Sequence, residues 1–229
     1  MKRSRIYLDK QQKLGSGADT MDSSTALELL KSVAKEWESI DLDVRLGINT
    51  RKADQNIRGT TILPKGTGKT PTVLVLCKSD RSDEATEAGA DFVGLDEYIE
   101  KIQEGWLEFD MVVASPDVMK DVSKVAKILG PRGMMPNPKS GTVTPNVGHA
   151  VKEAKAGKVE YRADKTGIIH LSVGRAGFPL EDLKANVDHI MGTLIKARPA
   201  SVKGQFVRSA FLSSTQSPSL KLDTTSFIH

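Results

Sequence analysis

The sequence predicts a mixed fold in two parts. A discontinuous α+β domain, with a split βαβ-like antiparallel sheet and helices, is expected over residues 1–67 and 158–229; it carries an inserted three-layer α/β, Rossmann-like domain over 68–157. Three observations predict this plan. Both ends of the chain alternate apolar and polar residues with a period of two, the pattern of antiparallel strands with one wet face. The middle opens with an unbroken apolar run, Val73-Leu74-Val75-Leu76-Cys77, then alternates short strands with helices, as in a parallel sheet covered on both faces. Charge changes with texture: residues 68–157 hold 11 Lys and Arg against 14 Asp and Glu, and the flanking segments hold 22 against 15.

In the first outer segment, Thr25-Ala26-Leu27-Glu28 reads as a capping box. Ala26, Leu29, Leu30, Val33, Ala34 and Trp37 follow at helical spacing, so a helix is expected over 25–37. Strict alternation through 40–48 gives a strand, and a shorter one is expected over 60–63. Pro64-Lys65-Gly66-Thr67-Gly68-Lys69 breaks the pattern as a linker. The inserted segment then reads strand 72–77, helix 82–89, strand 92–93, helix 96–104, strand 111–114 and helix 117–129. A loop rich in Gly and Pro (130–141) and a helix (146–156) close it. Beyond Gly157 the two-residue period returns in strands 158–162 and 168–173, joined by a hairpin turn at Asp164-Lys165-Thr166-Gly167. A helix over 180–197 and strands near 205–213 and 219–223 complete the outer domain.

Composition excludes several classes. With 229 residues, 38% hydrophobic and 27% charged, the chain can bury a core and is neither collagenous, disordered nor a coiled coil. A single cysteine, Cys77, excludes internal disulfides and cysteine-built metal sites and points to a reducing compartment. The longest apolar run is far below the roughly 20 residues of a membrane helix, so no membrane partner is expected. Met1-Lys2-Arg3-Ser4-Arg5 is basic without a following apolar stretch and does not read as a secretory signal. A formal charge of +4 and a pI near 9.0 point to an anionic partner, with the positive excess on the outer domain.

Gly66-Thr67-Gly68-Lys69-Thr70 invites a phosphate-loop reading, but the glycine that motif needs is replaced by Leu63, and Pro71 and a strand follow instead of a helix. A nucleotide-binding enzyme built on the inserted domain is therefore the runner-up reading. His149, His170, His189 and His229 never fall at metal-ligand spacing, and Cys77 sits in an apolar strand as a small hydrophobe. No metal, cofactor or catalytic constellation is expected, and the chain is not read as an enzyme.

Polar features of the outer domain suit RNA. The strand at 40–48 presents Asp41, Asp43 and Arg45, the hairpin presents Asp164, Lys165 and Thr166, and the C-terminal segment presents Ser209, Ser213, Ser214, Thr215, Gln216 and Ser217. Short hydroxyl and amide side chains suit 2′-hydroxyls and base edges; a solvated sheet face is the alternative. Trp37 is either core or a stacking platform, and His170 either structural or in contact with RNA. Lys2, Arg3, Arg5, Lys10 and Lys13 form a basic arm that is either a phosphate-binding segment or a solvated tail.

Longer motifs carry a family resemblance. Leu46-Gly47-Ile48-Asn49, Asp54-Gln55-Asn56-Ile57-Arg58-Gly59-Thr60, Leu63-Pro64-Lys65-Gly66-Thr67-Gly68-Lys69, Glu87-Ala88-Gly89-Ala90-Asp91-Phe92-Val93-Gly94 and Gly105-Trp106 occur in order. Ala114-Ser115-Pro116-Asp117-Val118-Met119, the run from Leu129 to Lys139 and Asp164-Lys165-Thr166-Gly167 follow. Over roughly 25–225 the chain resembles the ribosomal protein L-one family, in its bacterial or organellar form. The resemblance implies an outer domain bound to the stalk of large-subunit rRNA beside the tRNA exit site, and an inserted domain on a hinge. It further implies help in releasing deacylated tRNA, contacts with other large-subunit components, and repression of the chain's own messenger RNA through the same surface. The implied rRNA contacts are Trp37, Ser39, Asp41, Arg45, Asp164, Lys165, Thr166, Ser209, Thr215, Gln216 and Ser217, and His170, from its place in the strand after the hairpin, is expected to join them. The implied location is a bacterial, plastid or mitochondrial ribosome. Where the family reads Thr-Met-Gly-Pro, this chain has Thr215-Gln216-Ser217-Pro218, so a shifted or weakened contact is expected there. The 130–141 loop is expected to serve a structural or hinge-side role.

Overall fold

The structure, a computed structural model, describes residues 3–15 and 19–227; Lys2 and His229 lie outside the described residues. The chain divides into two compact units, Met1–Gly68 with Val159–His229, and Lys69–Lys158.

The split unit begins with a helix, α1 (Arg5–Leu14), that no apolar periodicity announces. Ser4 caps it by accepting from the Tyr7 amide, and Gly15 (φ 74°) ends it. A short strand, β1 (Thr20–Met21), leads to α2 (Ser23–Val33). The cap of α2 is Asp22, which accepts from the Ser24 amide at 3.1 Å, and not the Thr25 capping box. This helix stops at Val33, because Ala34 turns to extended backbone, which puts Trp37 beyond the helix and not on its apolar face. Strands β2 (Ser39–Leu46) and β3 (Arg58–Ile62) follow.

In the inserted unit, β4 (Val73–Leu76) is buried along its length. It is followed by α3 (Ser82–Glu87), β5 (Phe92–Gly94), α4 (Asp96–Gln103) and β6 (Met111–Ala114). Both β5 and β6 pair with β4 in parallel, giving the order β5-β4-β6. Alternation along β4 sends Leu74 and Leu76 into a cluster with Ile99, Ile102, Val122 and Leu129. Val73 and Val75 enter a second cluster with Ala85, Val147, Val151 and Ala154, so helices cover both faces of the sheet. The helix expected over 117–129 is broken into α5 (Met119–Val122) and α6 (Ala126–Leu129) by a 3-10 turn. At the break Ser123 Oγ bonds back to the Met119 carbonyl at 2.7 Å, a side-chain competition that bends helices. In the 130–141 loop, Met134 and Met135 pack against the first cluster, and Asn137 caps a 3-10 turn. The last helix of this unit is α7 (Val147–Lys155).

The chain then returns to the split unit with β7 (Lys158–Arg162), β8 (Ile168–Arg175), α8 (Leu180–Lys196), β9 (Val207–Ser214) and β10 (Leu220–Leu222). Strand order in the main sheet is β1-β10-β9-β2-β8, all antiparallel except β1 beside β10, and β3 pairs with β7 separately. Ile40, Leu42, Val44 and Leu46 alternate inward from β2 and share one core with Leu27 and Leu30 of α2 and Leu183, Val187 and Ile190 of α8. A turn at 64–65 and irregular backbone through Gly66–Lys69 lead into β4 and not into a helix, so the segment lacks the geometry of a phosphate loop.

Candidate nucleic-acid interface

With the odd residues of β2 turned away from the core, the ladder register fixes what shares that face. Arg45 lies between Ser209 and Ile168, Asp43 between Phe211 and His170, and Asp41 between Ser213 and Ser172. Lys221 of β10 extends the middle row beside Phe211. Each carboxylate on the face is engaged within the protein. Asp43 Oδ1 is 2.6 Å from His170 Nδ1, Asp41 accepts from Ser39 Oγ at 3.1 Å, and Asp164 Oδ2 is 3.9 Å from His170 Nε2.

The hairpin at 164–167 is built around Asp164. Its Oδ1 accepts the amides of Thr166 and Ile168, each at 2.8 Å, and the Thr166 hydroxyl at 2.7 Å. These bonds, led by the Ile168 amide, hold its carboxyl below the usual carboxylate range. Gly167 takes φ 80°, and the Lys165 carbonyl accepts from Thr50 Oγ1 at 2.8 Å, which ties the hairpin to the loop after β2. Asp164, Lys165, Thr166 and His170 are all exposed.

At the other end of the face, the 214–217 turn closes through the Ser217 amide on the Ser214 carbonyl at 3.0 Å. The Ser217 hydroxyl accepts from the Ser214 amide at 2.8 Å and donates to the Pro218 carbonyl at 2.9 Å. The left-handed backbone falls on Gln216 (φ 55°), unique among the described non-glycine residues. Ser217 thus spends its side chain on the turn itself. Ser39 Oγ lies 3.4 Å from Thr215 Oγ1, bringing this turn beside the start of β2. Trp37, next to it, is 62% exposed, with Lys35 Nζ 5.6 Å from its ring centroid; the core alternative for this residue fails.

The register places Ser39, Asp41, Asp43, Arg45, His170, Ser209 and Ser213 along one sheet face, and the two turns place Asp164, Lys165, Thr166, Thr215, Gln216 and Ser217 at its ends; Ser214, expected among the presented hydroxyls, alternates inward and is 5% exposed. The basic arm needs correction. Residues 5–14 are helical, and Lys10 is 7% exposed and salt-bridged, so it is neither a tail residue nor open to phosphate. Arg5 and Lys13 remain exposed, and the Arg3 guanidinium stacks on Tyr7. Missed by sequence reasoning are Arg51 and Arg162, which line a recess of about 710 Å³ with Thr50, Asn56, Asp164 and Lys165. Their signal was weak: Arg162 merely alternates outward on β7, and Arg51 sits in a loop.

Elsewhere, Cys77 is 2% exposed and burial pushes its thiol up. Among the described residues no cluster of three or more His, Cys, Asp or Glu has the geometry to hold a metal ion, and no helix is long and apolar enough to cross a membrane.

The sequence model of the ribosomal protein L1p/L10e family matches residues 27–218, a span that contains every one of these predicted site residues. The chain belongs to that family. It is 54% identical over 205 residues to the large ribosomal subunit protein uL1 of Chlorobium chlorochromatii (strain CaD3), covering 89% of this chain and 90% of that one. It is 50% identical over 202 residues to the uL1 protein of Amoebophilus asiaticus (strain 5a2), covering 87% of each. Both relatives are bacterial. Within the L1p/L10e family match lie the hairpin, the face of β2 and the 214–217 turn, whereas α1 precedes it.

Proposed function

We propose that this chain is a structural constituent of the large subunit of a bacterial ribosome and that the polar sheet face of its split unit binds the rRNA stalk beside the tRNA exit site. There it assists release of deacylated tRNA, and the same face binds the chain's own messenger to repress translation. Family membership and the names of the relatives support the ribosomal part. The observation that carries the choice of surface is the cross-strand alignment of Ser209, Arg45, Asp41, Ser213 and His170 on one face, ending at an exposed Trp37.

On this reading Trp37 stacks on an unpaired base, while the hydroxyls of Ser39, Ser209 and Thr215 reach 2′-hydroxyls and base edges. Arg45 and Lys165 supply phosphate attraction. Repulsion from the three aspartates is muted because each already accepts hydrogen bonds from, or pairs with, a neighbour. The test is binding of the purified chain to a stalk-rRNA fragment across a salt series, with an unrelated structured RNA as control. Selective binding that survives moderate salt is expected; equal, salt-labile binding to both RNAs refutes the proposal.

A further inference from the structure

Lys10 is a buried cation at the edge of the proposed RNA face. Its Nζ lies 2.5 Å from the Glu38 carboxylate and 2.8 Å from the Thr215 carbonyl oxygen, and the Lys10 and Glu38 side chains are only 8% and 6% exposed. Both contacts fall where the β2–β9 ladder has run out, although the other edge of β2 stays paired with β8 as far as Ser39. Pairing of β2 with β9 reaches Ile40 and Ser214; residues 37–39 and 215–217 lie past that point. Between them stand a long Ser39–Thr215 hydroxyl contact of 3.4 Å and the ammonium of Lys10. That ammonium is itself fixed in place, because α1 is capped by Ser4 and anchored in the core by Leu14.

We propose that Lys10 is a positioning residue for RNA recognition. It clamps the Trp37–Ser39 side of the site to the Thr215–Ser217 side at the separation the RNA reads, and it does so from beneath, without contacting RNA. The inference rests on the RNA-binding reading of this face. Its physical basis is preorganisation: two loop ends held in one geometry need not be ordered when the ligand arrives. It also gives α1, which contributes few apolar side chains to the core, a reason to be docked.

The test uses the full chain, the stalk-rRNA fragment and the unrelated RNA. Two variants are compared with the parent, Lys10→Met and the double variant Lys10→Met/Glu38→Leu. The single variant leaves a buried carboxylate without its partner and risks misfolding. The double variant removes both charges together, which a protein interior tolerates far better, and it keeps the net charge. Expected for both is at least a tenfold loss of affinity for the stalk fragment, little change for the unrelated RNA, and an unchanged slope of log affinity against log salt. A slope reduced by roughly 0.7–0.9 would mean that Lys10 neutralises a phosphate, which overturns the proposal. Parent-like affinity in the folded double variant overturns it as well, since the pair would then serve stability alone. If the parent itself fails to discriminate between the two RNAs, the RNA-binding reading falls and this inference with it.

Discussion

Asn186→Leu is expected to destabilise the split unit by about 3–5 kcal/mol. Asn186 lies on α8 with no exposed surface, and its side chain makes three bonds. Its Nδ2 donates to the Val173 carbonyl at 2.8 Å and to the Gly66 carbonyl at 3.0 Å, and its Oδ1 accepts the Lys65 amide at 3.2 Å. The Val173 bond has a particular cause. Ile40 pairs with Gly174 and Asp41 with Ser172, so Val173 is the extra residue of a β-bulge and drops out of the ladder. Leucine keeps the volume and removes every partner. Three bonds at about 1 kcal/mol net each give about 3 kcal/mol, and a bulge carbonyl left unpaired away from water adds up to about 2 kcal/mol. Urea unfolding followed by circular dichroism measures the loss, and in a Trp37→Phe background the fluorescence of Trp106 reports the inserted unit separately, because its indole packs edge-on to Phe92 at 5.0 Å. With a slope of about 2 kcal/mol/M, the split-unit midpoint falls by about 1.5–2.5 M while the Trp106 transition stays. A loss below about 1 kcal/mol would refute the reasoning.

Trp37→Ala is expected to weaken binding to the stalk fragment by about 1–3 kcal/mol and to leave stability within about 0.5 kcal/mol, since the ring is largely exposed. Fluorescence anisotropy and thermal melts check the two halves, and an unchanged affinity would remove Trp37 from the site. Ser217→Gly is expected to cost about 1–2 kcal/mol of stability, because the turn loses both bonds of the hydroxyl; a parent-like melting curve would contradict that. Gln216→Gly is expected to gain about 0.5–1 kcal/mol by relieving the left-handed backbone, read from the same melts. Asp164 titrates lower folded than unfolded, so its contribution is fully present above the ordinary carboxylate value near ~3.9 and is lost as pH falls through the lower folded value. Hydrogen exchange of the Thr166 and Ile168 amides should accelerate, beyond its intrinsic pH dependence, only at that acid end, and early loss near neutrality would be inconsistent with these bonds.

Much of the sheet was legible because its cause is local. The alternation from Ile40 to Leu46 states which face of β2 is buried, and Asp164 with Gly167 states the turn before β8. Gly47 is readable only afterwards: a Cβ there would lie 2.3 Å from the Gln205 carbonyl oxygen. Helix α1 was hidden because its burial falls on Lys10 and Leu14 while Ile6 and Leu8 stay exposed, so no apolar face appears in the pattern. Trp37 is deceptive for the opposite reason, being apolar at helical spacing but carried on the turn at 35–38 that follows the helix. The recess between Arg51 and Arg162, and the bridge from Lys10 to Thr215 across 205 positions, join residues that tertiary structure alone brings together.

The placement of β2 also sets an order of events during synthesis. Both of its neighbours arrive after the insertion: Asp43 waits for His170, 127 positions later, and for Phe211 beyond that. By contrast β4 finds β5 and β6 as the next strands in the chain. At about 5–20 residues per second, the nascent chain spends roughly 6–25 s with an eight-residue, half-apolar β2 exposed along both edges. The inserted unit is complete before that interval ends. The inserted unit can therefore form before the split unit closes, and β2, made early, stays without either neighbour until the chain has passed through the insertion.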